Sequence, residues 1–284
     1  MADRHDIFAT GDSASAVLPR KATIPVRLRR RDRFLSGNIR ATLRYIRSIA
    51  AVLLVWHLLA LWIGNHVLLP APDRVARSMY RLWAGGDFIE DYLLSAQRLL
   101  TAYGAAALAA VTLGVTMGLN RIANEFLDPV VELLRPISAL AWIPLWLAVI
   151  GISSTLPYFV IFYVALFPFL LNTIGGVRGA DPLLIRAAST MGVSARVIVR
   201  RVVLPDALPS VLTGARLAMG GAWMALIASE LIGSPNGLGF SILFFGATLR
   251  TADMIAVIAV VAFSGYLTDL LLRLLQRRLT PWKA

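Results

Sequence analysis

Six apolar runs, separated by polar links, divide the chain at about 46–66, 97–119, 132–151, 155–175, 210–232 and 253–275. Each approaches the roughly 20 residues that a helix rising ~1.5 Å per residue needs to cross ~30 Å of hydrocarbon, so six membrane-spanning helices are predicted. The links differ in kind. Residues 68 to 98 mix charged and apolar positions at helical spacing and are broken by Pro70, Pro72 and the pair Gly85 and Gly86. One or two short helices outside the bilayer are expected there. Residues 233 to 253, "GSPNGLGFSILFFGATLRTAD", hold an apolar patch too short to cross, which reads as a re-entrant or interfacial segment.

The runs themselves carry further instructions. The second, "RLLTAYGAAALAAVTLGVTMGL", is dense in Gly and Ala, which lets helix backbones approach closely in lipid and predicts a helix inside a bundle. The third and fourth hold Pro136, Pro144, Pro157 and Pro168. Each proline frees a carbonyl and kinks its helix, a shape that suits a transport path but also occurs in membrane helices that transport nothing.

Composition agrees with the pattern. At 58% hydrophobic and 15% charged residues, with a mean hydropathy of +0.71, the chain is too apolar for an ordinary soluble domain. The net charge of +12 changes the picture through its placement. Residues 1 to 47 hold eleven Lys or Arg, the link after the second run holds Arg121, and the link after the fourth holds Arg178, Arg186, Arg196, Arg200 and Arg201. Four more, Arg273, Arg277, Arg278 and Lys283, close the chain. The other side of the membrane receives only Arg74, Arg77, Arg81 and Arg250, while Arg98, Arg135 and Arg216 fall within or at the ends of runs. The positive-inside rule then puts both termini in the cytoplasm, in a multi-pass protein. Attraction to anionic lipid headgroups accounts for the basic tail without nucleic acid. Residues 1 to 33 are rich in Ser, Asp, Arg and Pro and are expected to be disordered or draped on the membrane surface. Some 45 mostly polar residues precede the first run, so it is expected to stay as an anchor and not to be a cleaved signal.

Candidate chemistry is sparse. With no cysteine, disulfides, thiol catalysis and thiolate metal sites are excluded. Only two lysines exist, Lys21 and Lys283, and neither lies in a Gly-rich phosphate loop. No His, Asp and Glu cluster has metal-ligand spacing and no nucleophile motif lies among the runs, so no catalytic or metal residue is assigned.

The link at 181–209 is the most structured part of the pattern. Asp181 can cap a helix opened by Pro182, and Gly192 follows "LLIRAASTM" where a helix commonly ends in a left-handed residue. Ser194 can cap a second helix through "ARVIVRRVVL", and Pro205 is expected to close it. The result is a helix, a tight glycine turn and a second helix, with Arg196 and Arg200 on one face and Arg201 adjacent. A side chain at 192 would strain the backbone or crowd the turn. Such a hairpin suits an anionic lipid surface or a partner protein, and spacing alone leaves both open.

Ala187 and Ala188, three residues, Gly192, nine residues, then Val202, Leu204 and Pro205 resemble the cytoplasmic EAA loop of binding-protein-dependent ABC importer permeases. That loop reads Glu-Ala-Ala, three residues, Gly, nine residues, Ile-x-Leu-Pro. Arg186 stands where the family has glutamate, and Val202 where it has isoleucine. "LLPAPDRV", "LLRPISALAWIPLWLAVIGI", "FPFLLNTIGGVRGADP" and "LPSVLTGARLAMGGAWMALIASELIG" resemble the taurine, aliphatic sulfonate and nitrate branch, and together these segments cover most of residues 68 to 276.

The resemblance implies an all-α membrane protein with the six-span type I ABC importer transmembrane domain. A basic cytoplasmic tail would occupy residues 1–45 and the permease domain residues 46–284. It implies a subunit without enzymatic activity in a bacterial inner membrane, binding no cofactor itself, with ATP and Mg held by two partner ATPase subunits. A second permease subunit, an identical copy, and a substrate-binding protein complete the assembly. The coupling residues would be Arg186, Ala187, Ala188, Gly192, Arg196, Arg200, Arg201, Leu204 and Pro205. For the substrate path the residues named are Trp142, Tyr163, Trp223 and Glu230, with Glu230 more suited to a gate or structural hydrogen bond than to touching an anion. Asp269 and Arg273, one turn apart, are expected to pair, Arg216 to reach the inner surface, and His57 to sit in the core. A same-family permease for a neutral nutrient such as a thiamine-precursor pyrimidine, and a transporter or channel working without ATP, are the alternatives.

Overall fold

The computed structural model describes residues 31 to 281, with side chains from Arg47 onward except that of Asp87. The basic tail before residue 31 lies outside the described residues. Two compact units divide the chain, Met1–Leu53 and Leu54–Ala284. In the first, the described residues belong to α1 (Arg31–Ile63), so residues 31 to 45, expected as tail, are helical. In the second, the described residues are helices and their connections, without a strand among them.

Four helices are long and apolar enough to cross a membrane: α3 (Asp87–Leu119), α6 (Leu156–Arg178), the helix running from Ala195 to Gly233, and α11 (Thr251–Leu279). A fifth crossing is possible only as a broken one, α4 (Arg121–Leu134) followed by residues 139 to 150 at an angle of 80°. The first expected run is represented by a shorter apolar helix, Arg47–Ile63, so the described residues hold four or five long crossings against six expected. That helix stops because Gly64 turns to φ +64° and the Asn65 side chain accepts from the amides of Val67 and Leu68.

The third run, read as a single span over 132–151, is corrected to two pieces. Arg135 keeps helical angles (φ −52°, ψ −44°) and still bonds to Val131 O, and α4 ends there because Pro136 has no amide to continue the ladder. Ser138 then caps a short 3-10 turn (Ala139–Trp142) by accepting from Leu140 N, and Pro144 sits in the first turn of α5 (Ile143–Ile150), where its missing amide costs nothing. The second run also starts earlier than expected. After Gly86, at φ +87°, nothing in "FIEDYLLSAQR" breaks a helix, so α3 begins at Asp87 and not at 97. Before it, α2 (Pro72–Gly85) is the predicted short amphipathic helix, and the predicted short apolar segment is α10 (Leu238–Ala247). On the exposed side of α2 a hydrogen bond from Arg77 holds the Asp73 carboxyl below the usual carboxylate range.

α6 sits at the centre, packed along α3 on one side and α9 (Leu204–Gly233) on the other. Small residues set the spacing, as the Gly and Ala content predicts. A Cβ at Gly114 would lie 2.6 Å from Thr173 Cβ on α6, and one at Gly214 would lie 2.7 Å from Asn172 Cβ. Around these crossings Ala106, Ala110, Ala165 and Ala218 are fully buried with Leu170 and Met117. Without a hydrophobic drive between helices in lipid, this close backbone contact is what holds the bundle.

Gly114→Ala is therefore expected to lower the thermal midpoint of the detergent-solubilised protein, by overpacking worth about 1–3 kcal/mol. Gly104→Ala is the control: a Cβ there meets open space, so its midpoint should stay level or rise. Scanning fluorimetry on both variants checks the pair.

Candidate functional site

The hairpin predicted at 181–209 forms, with corrections at Ser194, expected to cap the second helix with its side chain, and at Pro205. Asp181 Oδ1 accepts from Leu183 N at 2.8 Å and opens α7 (Pro182–Thr190). Val193 N donates to Ala188 O at 3.2 Å and Gly192 N to Ser189 O at 3.0 Å, the paired bonds that close a helix on a left-handed residue. Gly192 is that residue, at φ +75°. The space around it is open, so a side chain there strains the backbone without crowding a neighbour. α8 (Ala195–Ile198) then starts at Ser194, which contributes its backbone carbonyl to Val197 and Ile198 but makes no side-chain cap.

The larger correction concerns Pro205, which does not close the second helix. The helix widens to a π turn over Val199–Val203, where Leu204 N reaches Val199 O, and continues as α9. A proline ring inside a helix presses on the carbonyl four residues back, here that of Arg201, and lacks the amide to bond it. One extra residue in the turn relieves that crowding, so α8 and α9 form one helix of 39 residues from Ala195 to Gly233.

The hairpin has a core and a face. Ala188, Ile198, Val203 and Ala207 bury against Val177 and Ala180 at the end of α6. Arg186, Ala187, Gly192, Arg196, Arg200, Arg201 and Leu204 are exposed, Pro205 is half-buried, and Leu183, Leu184 and Met191 add exposed apolar surface. Ala188 thus belongs to the scaffold, and the other named residues except Pro205 to an outward surface that is basic and apolar together.

Glu230, near the far end of the same helix, is 1% exposed and lies in a polar network that sequence reasoning foresaw only in part. Its Oε1 accepts from Arg98 Nη1 at 2.7 Å, and Arg98 is itself wholly buried. Ser95 Oγ lies 2.8 and 2.9 Å from the two carboxylate oxygens and accepts from Leu238 N, while Gly239 N donates to Glu230 Oε2 at 2.9 Å. Arg98 also donates to Asn236 O and Oδ1, at 3.0 and 2.6 Å. Asp91 completes the ring, accepting from Gly237 N at 2.9 Å and Ser241 Oγ at 2.5 Å. The amides of Gly237, Leu238 and Gly239 at the start of α10 therefore meet carboxylates or a hydroxyl on α3 and α9, the partners a helix N-terminus prefers. Gly237, at φ +107°, and Gly239 allow it, since a Cβ at either would strike Glu230. Glu230 accordingly ties elements together and does not stand free in a path. The missed partner was Arg98, 132 residues away, which no periodicity links to Glu230.

The other path candidates separate. Trp142 and Tyr163 lie together, ring centroids 6.2 Å apart, with Tyr163 OH donating to Leu134 O at 2.6 Å. Trp223 lines a different, apolar groove of about 570 Å³ between α9 and α11 and donates to Thr268 Oγ1 at 3.0 Å. Asp269 pairs with Arg273 as expected, and also accepts from Arg216 Nε at 3.0 Å. His57, expected in the core, is exposed, on a stretch of α1 whose surface is apolar.

A basic and apolar hairpin thus stands at one end of a helical bundle with a broken span, and comparison with known proteins gives the family. The family of binding-protein-dependent transport system inner membrane components matches residues 109 to 281, and the chain belongs to it. It is 36% identical over 243 residues to the taurine transport system permease protein TauC of Escherichia coli, covering 84% of this chain and 88% of that protein. It is similar to SsuC of Bacillus subtilis, named for aliphatic sulfonates transport, at 30% over 235 residues, 82% of this chain and 85% of that one. It is also similar to the bicarbonate transport system permease protein CmpB of Synechococcus elongatus, at 35% over 186 residues, 65% and 67% of the two chains. The chain is thus an inner membrane permease component of an ABC importer and not an enzyme.

Removing one partner of the buried pair leaves an uncompensated charge. Arg98→Met and Glu230→Leu are each expected to cost about 3–5 kcal/mol, and the double variant less than their sum by more than about 1 kcal/mol. A double-mutant cycle on denaturant unfolding in detergent measures this coupling.

Proposed function

We propose that the chain is the permease subunit of an ATP-driven importer for a small anion of the sulfonate, taurine or nitrate type, delivered by a binding protein on the outer side. The observation that carries the reading is the likeness along 84% of the chain to a permease named for taurine, alongside relatives named for sulfonates and bicarbonate. Each of those names denotes a small molecule with an oxyanion group.

In this reading two copies of the chain form the pathway, and each lodges its hairpin in a groove on one of two ATPase subunits, which hold ATP and Mg. Arg186, Arg196, Arg200, Arg201, Ala187 and Leu204 make the contact, while Ala188, Gly192 and Pro205 fix the shape. The exposure of the first group and the left-handed turn at Gly192 support the division. Both termini and the basic tail lie on the ATPase side, in keeping with the arginine distribution. Closure of the ATPase pair on ATP moves the hairpin, and the helix from Ala195 to Gly233 carries the movement outward. Coupling of this kind needs a bundle with two discrete packings.

Gly192→Val is expected to reach the membrane at the wild-type level and to keep ATP hydrolysis within about twofold, yet to lose uptake, because strain at one left-handed position, about 1–2 kcal/mol, distorts the hairpin without unfolding the bundle. Uptake of labelled taurine, methanesulfonate, nitrate and bicarbonate into proteoliposomes containing the ATPase subunits and binding protein checks it. Wild-type uptake by the variant contradicts the coupling role. A wild-type importer that carries a neutral pyrimidine and none of these anions contradicts the substrate class.

A further inference from the structure

Three arginines lie within or at the ends of the apolar runs, and the structure treats them differently. Arg98 is buried against Glu230, and Arg216 is paired with Asp269. Arg135 is exposed, and among the described residues its side chain makes no hydrogen bond, ion pair or ring contact. Glu132, one turn back on α4, does not approach it within ion-pair distance.

Its depth follows from α6. Tyr163 donates to Leu134 O, next to Arg135, and stands seven residues from the outer end of α6 at Leu156. That is about 10 Å along the helix axis, inside the apolar span. The place is also where the third crossing breaks, between α4 and the 3-10 turn, so backbone there is irregular at membrane depth. Irregular backbone at that depth is tolerated where protein covers it or where it lines an aqueous cavity. A cavity of about 420 Å³ is present, lined by Arg135, Tyr163, Pro168 and Asn172 with Leu217 on α9. The Asn172 carboxamide spends one N–H on Pro168 O and keeps a second.

An arginine without a counter-ion inside a membrane is costly and marks a pathway or ligand by default. Its fixed fork of donors matches the oxygens of a sulfonate, nitrate or carboxylate. We infer that Arg135, with Asn172 beside it, binds the transported oxyanion within the membrane, at the break of the third crossing. Arg98 and Arg216 are neutralised and do not serve. The inference rests on the anion reading given under the proposed function, and it adds a residue that touches the cargo.

The test compares Arg135→Gln and Arg135→Lys with wild type in proteoliposomes holding the assembled importer. Uptake of labelled taurine, methanesulfonate, nitrate and bicarbonate is read alongside the stimulation of ATP hydrolysis by the binding protein. The expected result is at least a tenfold loss of uptake in Arg135→Gln with stimulation kept within twofold, and recovery of at least a third of the wild-type uptake in Arg135→Lys. A purely structural role as the cap of α4 would move stability and stimulation together. Wild-type uptake in Arg135→Gln overturns the inference and leaves the importer reading standing. Loss of stimulation together with uptake in both variants overturns it as well. If the wild-type protein carries none of the anions, it is the substrate class that fails, before Arg135 is reached.

Discussion

The guanidinium of Arg98 and the carboxylate of Glu230 face each other at 2.7 Å with no solvent on either, in a bundle built to sit in hydrocarbon. Separated, each would be a charge in a medium that cannot hydrate it; together they satisfy one another and leave donors and acceptors over for the backbone. Those spare groups take up Asn236, Ser95 and the Gly239 amide of α10, so one pair ties together α3, α9 and a helix too short to cross the membrane on its own. The open N-terminus of the short helix is thus closed by carboxylates and a hydroxyl of its own chain.

Glu230 also terminates a mechanical element. The same helix that carries it near one end carries the hairpin arginines at the other, and the π turn at Val199–Val203 lets it pass Pro205 without a break. The hairpin is held to α6 by its own small core, and α6 is held to α3 and α9 by glycine and alanine contacts. A push at the hairpin therefore has a continuous helical route to the buried pair, which is what the proposed coupling requires. Strong local packing and a single buried charge pair favour discrete rearrangement over gradual bending.

Much of this architecture is legible in the sequence. The hairpin's start at Asp181, its glycine turn and its exposed arginines follow from local rules acting over a few residues, and the chain's family follows from that hairpin and the segments around it. The short apolar segment after residue 233 and the Asp269–Arg273 pair were equally local. What was hidden is non-local or depends on how local signals compete. Proline at 205 reads as a stop, and only the widened turn ahead of it shows how the helix survives. Proline at 136 reads as a kink, but with Ser138 and Pro144 close behind it the span breaks outright. Arg98 and Glu230 are both visible as charges in apolar runs, yet nothing in the spacing reveals that they are partners, nor that Arg135 has none.

The central claim is that the hairpin and the buried pair are two ends of one stiff helix. Because the chain has no cysteine, spin labels at Ala195→Cys and Ile232→Cys in one of the two copies, with the other copy unlabelled and the partner subunits cysteine-free, report that helix alone. Pulsed electron spin resonance on the assembled importer, without nucleotide and then trapped with ATP, compares the distance in the two states. The account predicts a distance constant to within about half a helical turn, ~2.7 Å, while the helix moves as a body. A change of more than about one turn, ~5.4 Å, would mean that the π turn folds or stretches under load, and that the hairpin's motion is absorbed before it reaches Glu230.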